Sequence, residues 1–266
     1  MAKAPFDARS YWDRRLDRRF SLQGVGLVSV SRGYNRWLYR VRNRVFHRIV
    51  DTLGLEPGRA KVLDVGVGVG FYTRRWLELG VELVGVDIAD SAVRRLRLRY
   101  PEVRFERLDI SDDVTGVGGA DGFDVVDAFD VLFHIVDDER YRDAIENIYG
   151  LLRPGGWLVF TDVCSRRRSQ PSKHYVRRSL TEVEDVLRET GFELVWRQPA
   201  FVLMNYPFDS NRWHRELWRR VLAPLQRSEL GGTVLGALLY WPELALIRLL
   251  KESPTTELVV CRRPAS

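Results

Sequence analysis

Lys61-Val62-Leu63-Asp64-Val65-Gly66-Val67-Gly68-Val69-Gly70 is the stretch whose reading decides the fold. Val62, Leu63 and Val65 form a short apolar, β-branched run without strict alternation, the pattern of a strand buried on both faces in a parallel sheet. Three glycines at every second position then break it. They supply backbone freedom and remove Cβ atoms where a ligand must lie against the main chain. Phe71, Trp76 and Leu79 follow at helical spacing, and Gly80 stops the helix. Strand, glycine turn and helix in that order place a helix N-terminus at the carboxyl end of a strand, where open α/β sheets bind ligands.

The spacing also separates cofactors. A dinucleotide fingerprint, G-x-G-x-x-G, would put its last glycine at position 71, which is Phe71. The pattern here is Asp64-x-Gly66-x-Gly68-x-Gly70, and the next predicted strand, Glu82 to Val86, ends in Asp87. An acid at that tip can accept two hydrogen bonds from a ribose diol. In these residues the chain resembles the class I S-adenosylmethionine-dependent methyltransferases, whose first motif and following acid are arranged this way. The hinge Leu152-Arg153-Pro154-Gly155-Gly156 before a fifth strand is another mark of that family. The resemblance covers about Val62 to Gln198 plus the last strand.

From the glycine turn outward the pattern alternates. Strands are predicted at about 62–65, 82–87, 103–108, 123–128 and 156–162, with helices at 71–79, 91–99 and 139–151 between them. Alternation of this kind implies a parallel sheet covered by helices on both faces. A helix at Leu180 to Thr190 and strands at Phe192 to Gln198 and Glu257 to Arg262 complete it. The expected fold is α/β: a Rossmann-like, doubly wound, seven-stranded sheet, mostly parallel, with an antiparallel last strand implied by the resemblance. Residues 1–58 are read as an N-terminal helical cap, with amphipathic helices at about 6–20 and 34–53, and 59–266 as the methyltransferase core. Leu55 to Arg59, with Pro57 and Gly58, is the turn into that core.

About fifty residues, Val202 to Pro254, intervene where the family joins its last two strands by a modest loop. This helical insertion carries an apolar run from Leu230 to Leu250, broken by Pro242, Glu243 and Arg248. Its longest uncharged stretch, Gly231 to Pro242, falls short of the roughly 20 residues a spanning helix needs. Such a helix must cover its apolar face by packing on the domain, closing over the site as a lid, making a dimer, or resting on a membrane surface. A lid would imply a bulky or lipophilic acceptor.

Composition is that of a folded soluble protein, 45% hydrophobic and 29% charged, and 266 residues suffice for one such domain. Met1 to Phe20 is charged and has no apolar run, so no secretory signal is expected there. The two cysteines are too few for a disulfide framework or a zinc site, and no metal is expected. A cytoplasmic monomer or homodimer is the expectation. The net charge of +6 raises nucleic acid as a partner. The 42 basic residues are nevertheless dispersed among 36 acidic ones, and only Arg166, Arg167 and Arg168 with Lys173, Arg177 and Arg178 cluster. The Asn/Asp-Pro-Pro-Tyr/Phe tetrad of many base-amine methyltransferases is missing, as is the Pro-Cys nucleophile of cytosine-C5 enzymes. Both absences disfavour a nucleic-acid acceptor.

The resemblance then assigns roles. The backbone of Gly66, Gly68 and Gly70 receives the cofactor's amino-acid tail and ribose, its carboxylate drawn to the helix start. Asp87 holds the ribose, Ile88 covers one adenine face, and Asp64 fixes the turn or meets the ammonium through water. Asp109 and Ile110, after strand three, would accept from the adenine amino group and meet the ring. Phe129 and its neighbours after strand four supply carbonyls to the ammonium. Tyr11 sits at the cofactor mouth, and Tyr34, Arg36 and Tyr175 are substrate-pocket candidates. Methyl transfer is an in-line displacement on an activated sulfonium, so positioning supplies most of the acceleration. A hydroxyl acceptor still needs a base; His134 is the first choice, with Asp130 and His174 as alternates. The function expected is transfer of a methyl group from S-adenosylmethionine to oxygen, or nitrogen, of a small, lipophilic metabolite. The rivals are an RNA methyltransferase and a non-catalytic cofactor-binding protein at a membrane surface.

Overall fold

The structure is a computed structural model that describes residues 6–56, 58–119 and 121–265. Three helices open the chain, α1 (Ala8–Arg18), α2 (Leu22–Val25) and α3 (Arg32–Leu53). Each begins at a residue whose side-chain oxygen accepts a backbone N–H of the first turn: Asp7 from Ser10, Ser21 from Gly24 and Ser31 from Tyr34. Then come β1 (Lys61–Val65), α4 (Phe71–Glu78), β2 (Glu82–Asp87), α5 (Asp90–Arg99), β3 (Arg104–Arg107), β4 (Phe123–Ala128), α6 (Asp138–Leu151) and β5 (Leu152–Asp162). A small hairpin, β6 (Ser169–Ser172) and β7 (Tyr175–Arg177), precedes α7 (Leu180–Thr190) and β8 (Glu193–Phe201). The insertion contributes α8 (Arg212–Leu217), a π-helical stretch at Trp218–Leu222, α9 (Ala223–Arg227) and α10 (Glu229–Leu249), and β9 (Thr256–Arg262) ends the fold.

Seven strands form one sheet in the order β3-β2-β1-β4-β5-β9-β8. β1 to β5 run parallel, and β9 is antiparallel to both of its neighbours. The strand order reverses between β1 and β4, which opens a crevice at their carboxyl ends. The predicted elements agree with the observed ones to within a few residues. β5 starts four residues early because Leu152 pairs with Phe123 before the register shifts around the Pro154-Gly155-Gly156 hinge. The β6–β7 hairpin was not predicted, since its residues alternate too little in polarity to signal strands. Of the predicted turn at 55–59, Pro57 lies outside the described residues.

The N-terminal helices do not form a separate unit. Leu38, Val41, Val45, Phe46 and Ile49 of α3 share one buried cluster with Val62, Trp76 and Val125 of the sheet layers. Burial of such a face is worth about 1.5–3 kcal/mol per large side chain.

The insertion packs rather than closes. α10 is one 21-residue helix through Pro242 and is long and apolar enough to cross a membrane by length and composition. The uncharged stretch of the sequence understated it, because Glu243 sits inside the helix fully buried. Its carboxylate accepts the N–H groups of Val202 and Leu203, both at 2.7 Å, and of Met204 at 3.3 Å. Gly232 and Gly236 let α10 approach α3 closely; a Cβ on Gly236 would stand 2.4 Å from the Trp37 ring. Among the described residues none of the insertion lines the main cavity, so of the alternatives the packing one holds for the buried face of α10 and the lid does not.

Candidate active site

The sheet's crevice holds a cavity of about 230 Å³, floored by residues 65–69 after β1, Asp87 and Ile88 after β2, residues 108–110 after β3 and residues 129–131 after β4. Four segments thus converge there because parallel strands all end on the same edge. Gly66, Gly68 and Gly70 have φ of +75°, +51° and +76°, the left-handed region that glycine enters without a Cβ penalty. A Cβ at Gly66 would lie 2.3 Å from Val131 Cγ2, and one at Gly68 would lie 2.9 Å from Val25 Cγ1.

Asp87 organises this floor. It is 6% exposed; Oδ2 accepts the Gly68 N–H and Oδ1 the Ala89 N–H, both at 2.8 Å. Burial pushes its pKa up to about 6, against the pull of those two N–H groups. Each oxygen still has acceptor capacity, so the carboxylate can hold the turn and receive a diol together. Asp64 lies below the floor and does not reach the cavity; its carboxylate accepts the Thr73 hydroxyl at the first turn of α4. It pairs across the sheet with Asp127, whose Oδ1 accepts the Trp76 indole N–H at 2.8 Å and whose Oδ2 has no partner. Burial raises both pKa values, the neighbouring Asp64 carboxyl raises that of Asp127 further and Asp87 does the same to Asp64, so these buried carboxyls do not all carry charge comfortably. Gly70 also lies beneath the floor, facing Leu96 of α5.

The far wall is apolar, with Ile88, Leu108, Ile110 and Phe129 on the cavity. Phe129 stacks on Tyr72 with centroids 4.1 Å apart. Asp109 lines the cavity while bracing its own loop: Oδ1 accepts the Ser111 N–H and hydroxyl, and Oδ2 accepts from Arg140 at 3.0 Å.

Asp130 is in the left-handed region at φ +60°, unusual for a residue with a side chain. Its N–H donates to Thr161 Oγ1 at 2.7 Å and its carboxylate accepts from Arg42 at 2.8 Å. That ion pair occupies the carboxylate, so Asp130 is poorly placed to take a proton. His134 is better placed. It lines the cavity, and its Nδ1 stands 2.6 Å from the carbonyl oxygen of His174. A carbonyl only accepts, so Nδ1 carries the proton and Nε2 is left with a free lone pair. Burial lowers the pKa of the ring to about 4, which keeps it neutral at physiological pH.

Several expected residues are elsewhere. His174 contributes its carbonyl to His134, while its ring stacks on Tyr11 at 4.7 Å outside the cavity. Tyr11 in turn accepts from Arg15, and the neighbouring Trp12 lines the cavity in its place. Tyr175 packs edge-on against Phe133, away from the lining. Tyr34 is fully buried and donates its hydroxyl to the Met204 carbonyl at 2.8 Å; Arg36 is exposed on the outer side of α3. The helical register explains these shifts, since Tyr39 and not Tyr34 faces the crevice from α3. Phe6, Trp12, Tyr39, Tyr72 and Arg140 were missed as cavity residues. Aromatic residues on amphipathic helices signal burial without saying against what.

Half of the basic cluster at 166–178 is committed within the protein. Arg168 pairs with Asp138 and Glu182, Arg166 with Asp209, and Arg178, 2% exposed, lies over the Tyr141 ring and pairs with Asp138.

Residues 63–158 match a family described as a methyltransferase domain. Over that stretch, a little over a third of its length, the chain is similar to methyltransferase domains. The domain's match begins inside β1 and ends in β5, so it contains every floor residue of the cavity. Among curated relatives, phosphoethanolamine N-methyltransferase 3 of Arabidopsis thaliana is 32% identical over 55% of this chain and 31% of its own length. Ubiquinone biosynthesis O-methyltransferase of Albidiferax ferrireducens is 32% identical over 38% of this chain and 40% of its own. The alignments thus span about a third to two-fifths of these two relatives. Of solved structures, the magnesium protoporphyrin IX methyltransferase of Synechocystis PCC 6803 superposes with a TM-score of 0.59 over 98% of this chain and all of that one, at 16% identity. The 1,6-didemethyltoxoflavin-N1-methyltransferase of Burkholderia thailandensis gives 0.53 over 99% of this chain and 93% of that one, at 18% identity. At those identities the likeness is one of fold, and it extends beyond the methyltransferase domain to the added helices.

Proposed function

We propose that this chain is an S-adenosylmethionine-dependent methyltransferase that acts on a small molecule, with oxygen as the favoured acceptor atom and nitrogen the alternative. The observation that carries the reading is Asp87, a buried carboxylate tied to the glycine turn and open to the cavity at the point where strand order reverses. It fits a ribose diol. The N–H groups of Gly66 and Val67 donate to the Val86 carbonyl and that of Gly68 to Asp87, so a cofactor carboxylate would be drawn by the N-terminus of α4 that the turn opens, and Ile88, Leu108, Ile110 and Phe129 form an apolar slot for a purine. When bound, S-adenosylmethionine supplies a methyl group on a positively charged sulfur.

The chain's own residues supply position and a base. Trp12, Tyr39, Tyr72 and His134 face the remainder of the cavity, which suits a flat or apolar acceptor. His134 Nε2 can take a proton from an attacking hydroxyl, and the His174 carbonyl holds the ring in the required tautomer. A neutral amine would not need that base, which is why oxygen is favoured. The curated relatives include both N- and O-methyltransferases and so leave the atom to the site. Binding of S-adenosylhomocysteine by calorimetry, followed by transfer of labelled methyl to a panel of phenols, hydroxy acids and amines, tests the proposal. Failure of the folded protein to bind the cofactor would refute it.

A further inference from the structure

The outward side of α3 and α10 has no role in the cavity, and its chemistry is unusual for a free surface. α10 buries the face carrying Gly232, Gly236, Tyr240, Glu243 and Ile247. The opposite face presents Leu230, Val234, Leu238, Trp241 and Leu249, each between 49% and 79% exposed. These residues recur every three, four or eight positions, so they make one apolar ridge along the whole helix. An aliphatic and indole ridge of this length left in water marks an interaction surface.

α3 lies beside it and runs in the same direction, with Gly33 against Thr233, Trp37 against Gly236 and Arg44 reaching the Tyr240 hydroxyl. Arg32, Arg36, Arg40, Arg44 and Arg48 of α3 are all exposed and stand four residues apart along about 24 Å of helix. Among the described residues no carboxylate lies within 4.0 Å of any of these five guanidinium groups. Glu229, the acid at this end of α10, has its carboxylate engaged by the N–H groups of Arg32 and Gly33. The surface is therefore a protruding apolar helix flanked by an unneutralised basic row.

We propose that this surface docks the protein on an anionic lipid bilayer, with α10 lying in the plane of the interface. An interfacial helix sinks its apolar side about 5–10 Å, close to one helix diameter, while flanking basic side chains meet lipid phosphates. The arginine row would then sit at headgroup depth as the ridge enters the acyl boundary. A second copy of the chain is a poor occupant, because a two-fold contact would set five arginines against five. Nucleic acid would use the arginines but leave Leu230, Leu238 and Leu249 in water. A spanning orientation would have to pull Glu243 from the three backbone N–H groups it accepts.

The test is co-sedimentation of the full chain with vesicles of phosphatidylcholine alone and with about one-third phosphatidylglycerol, at low and physiological salt. Binding is expected only to the anionic vesicles and is expected to weaken as salt rises. Arg36→Gln and Arg40→Gln should each lower the partition coefficient about fivefold, and Trp241→Ser should lower it on vesicles of both salt conditions. S-adenosylhomocysteine affinity and thermal unfolding report separately that each variant is folded, so failure here leaves the enzymatic reading untouched. Equal binding to neutral vesicles, or binding insensitive to all three substitutions, would overturn the proposal. So would resistance to alkaline carbonate extraction, which indicates a spanning helix. Sedimentation velocity showing a dimer that Trp241→Ser dissolves, or RNA retention lost with the arginines and no vesicle binding, would assign the surface to those partners instead.

Discussion

Replacing Asp87 by alanine or asparagine tests the site at its most constrained point. The carboxylate is nearly fully buried and already satisfies the N–H groups of Gly68 and Ala89 at 2.8 Å. Alanine removes the ribose acceptor and leaves two backbone donors without a partner. Hydrogen bonds to a charged group are worth about 1.5–3 kcal/mol each, so losing two from a bound ribose should weaken binding by roughly 10² to 10⁴. Asparagine keeps the size but must point its NH₂ at one of the two N–H donors. It should therefore disturb the turn as well as the ligand, and lose a similar amount. The assay is calorimetric titration with S-adenosylhomocysteine, with unfolding followed with and without ligand so that cofactor loss is separated from misfolding. Because burial holds this pKa near 6, the wild-type protein should itself bind more weakly as pH falls from 7 to 5, as the ionised acceptor is protonated. An Asp87→Ala protein that binds within twofold of wild type would show that the ribose is held elsewhere.

Three further outcomes are expected. His134→Gln should lower kcat by about 10² to 10⁴ with cofactor affinity unchanged, and the acid limb of kcat/KM in the wild type should follow a group near 4 rather than an ordinary histidine; full turnover in the variant would leave the ring a packing role. Glu243→Gln presents an NH₂ group to the donors at 202–204 and should cost about 3 kcal/mol, or roughly 6–12 °C in Tm. Its cofactor affinity should stay intact, since the insertion does not line the cavity; a drop in affinity without a drop in Tm would contradict this. Asp127→Asn should gain in Tm relative to wild type as pH rises from 5 to 8. The sign follows from the raised native pKa values of Asp64 and Asp127: their contribution is complete below the ordinary carboxylate range and is lost as pH climbs through the native values. A difference that is flat with pH would mean that the pair ionises freely.

What the sequence by itself determined was local in origin. The run from Lys61 to Gly70, the acid at Asp87 and the alternation of strands and helices state the sheet, its crevice and the carboxylate on the cavity floor, because each follows from short-range patterns of period, glycine placement and charge. The position of Asp109 behind β3 was legible for the same reason. Only the tertiary structure decided which aromatic side chains face the crevice, since Tyr34 and Tyr39 look alike in a list of amphipathic residues and differ by half a turn of α3. It also decided that Asp130 is held by Arg42, 88 positions away, and that the His174 carbonyl fixes the tautomer of His134. The insertion shows the division most clearly: its hydrophobicity announced a need for cover, but Glu243 binding the backbone at 202–204 determined which side of α10 is covered and which remains free. Contacts between residues far apart in the chain are set by packing of whole elements, and a one-dimensional pattern records that an apolar face exists without recording its partner.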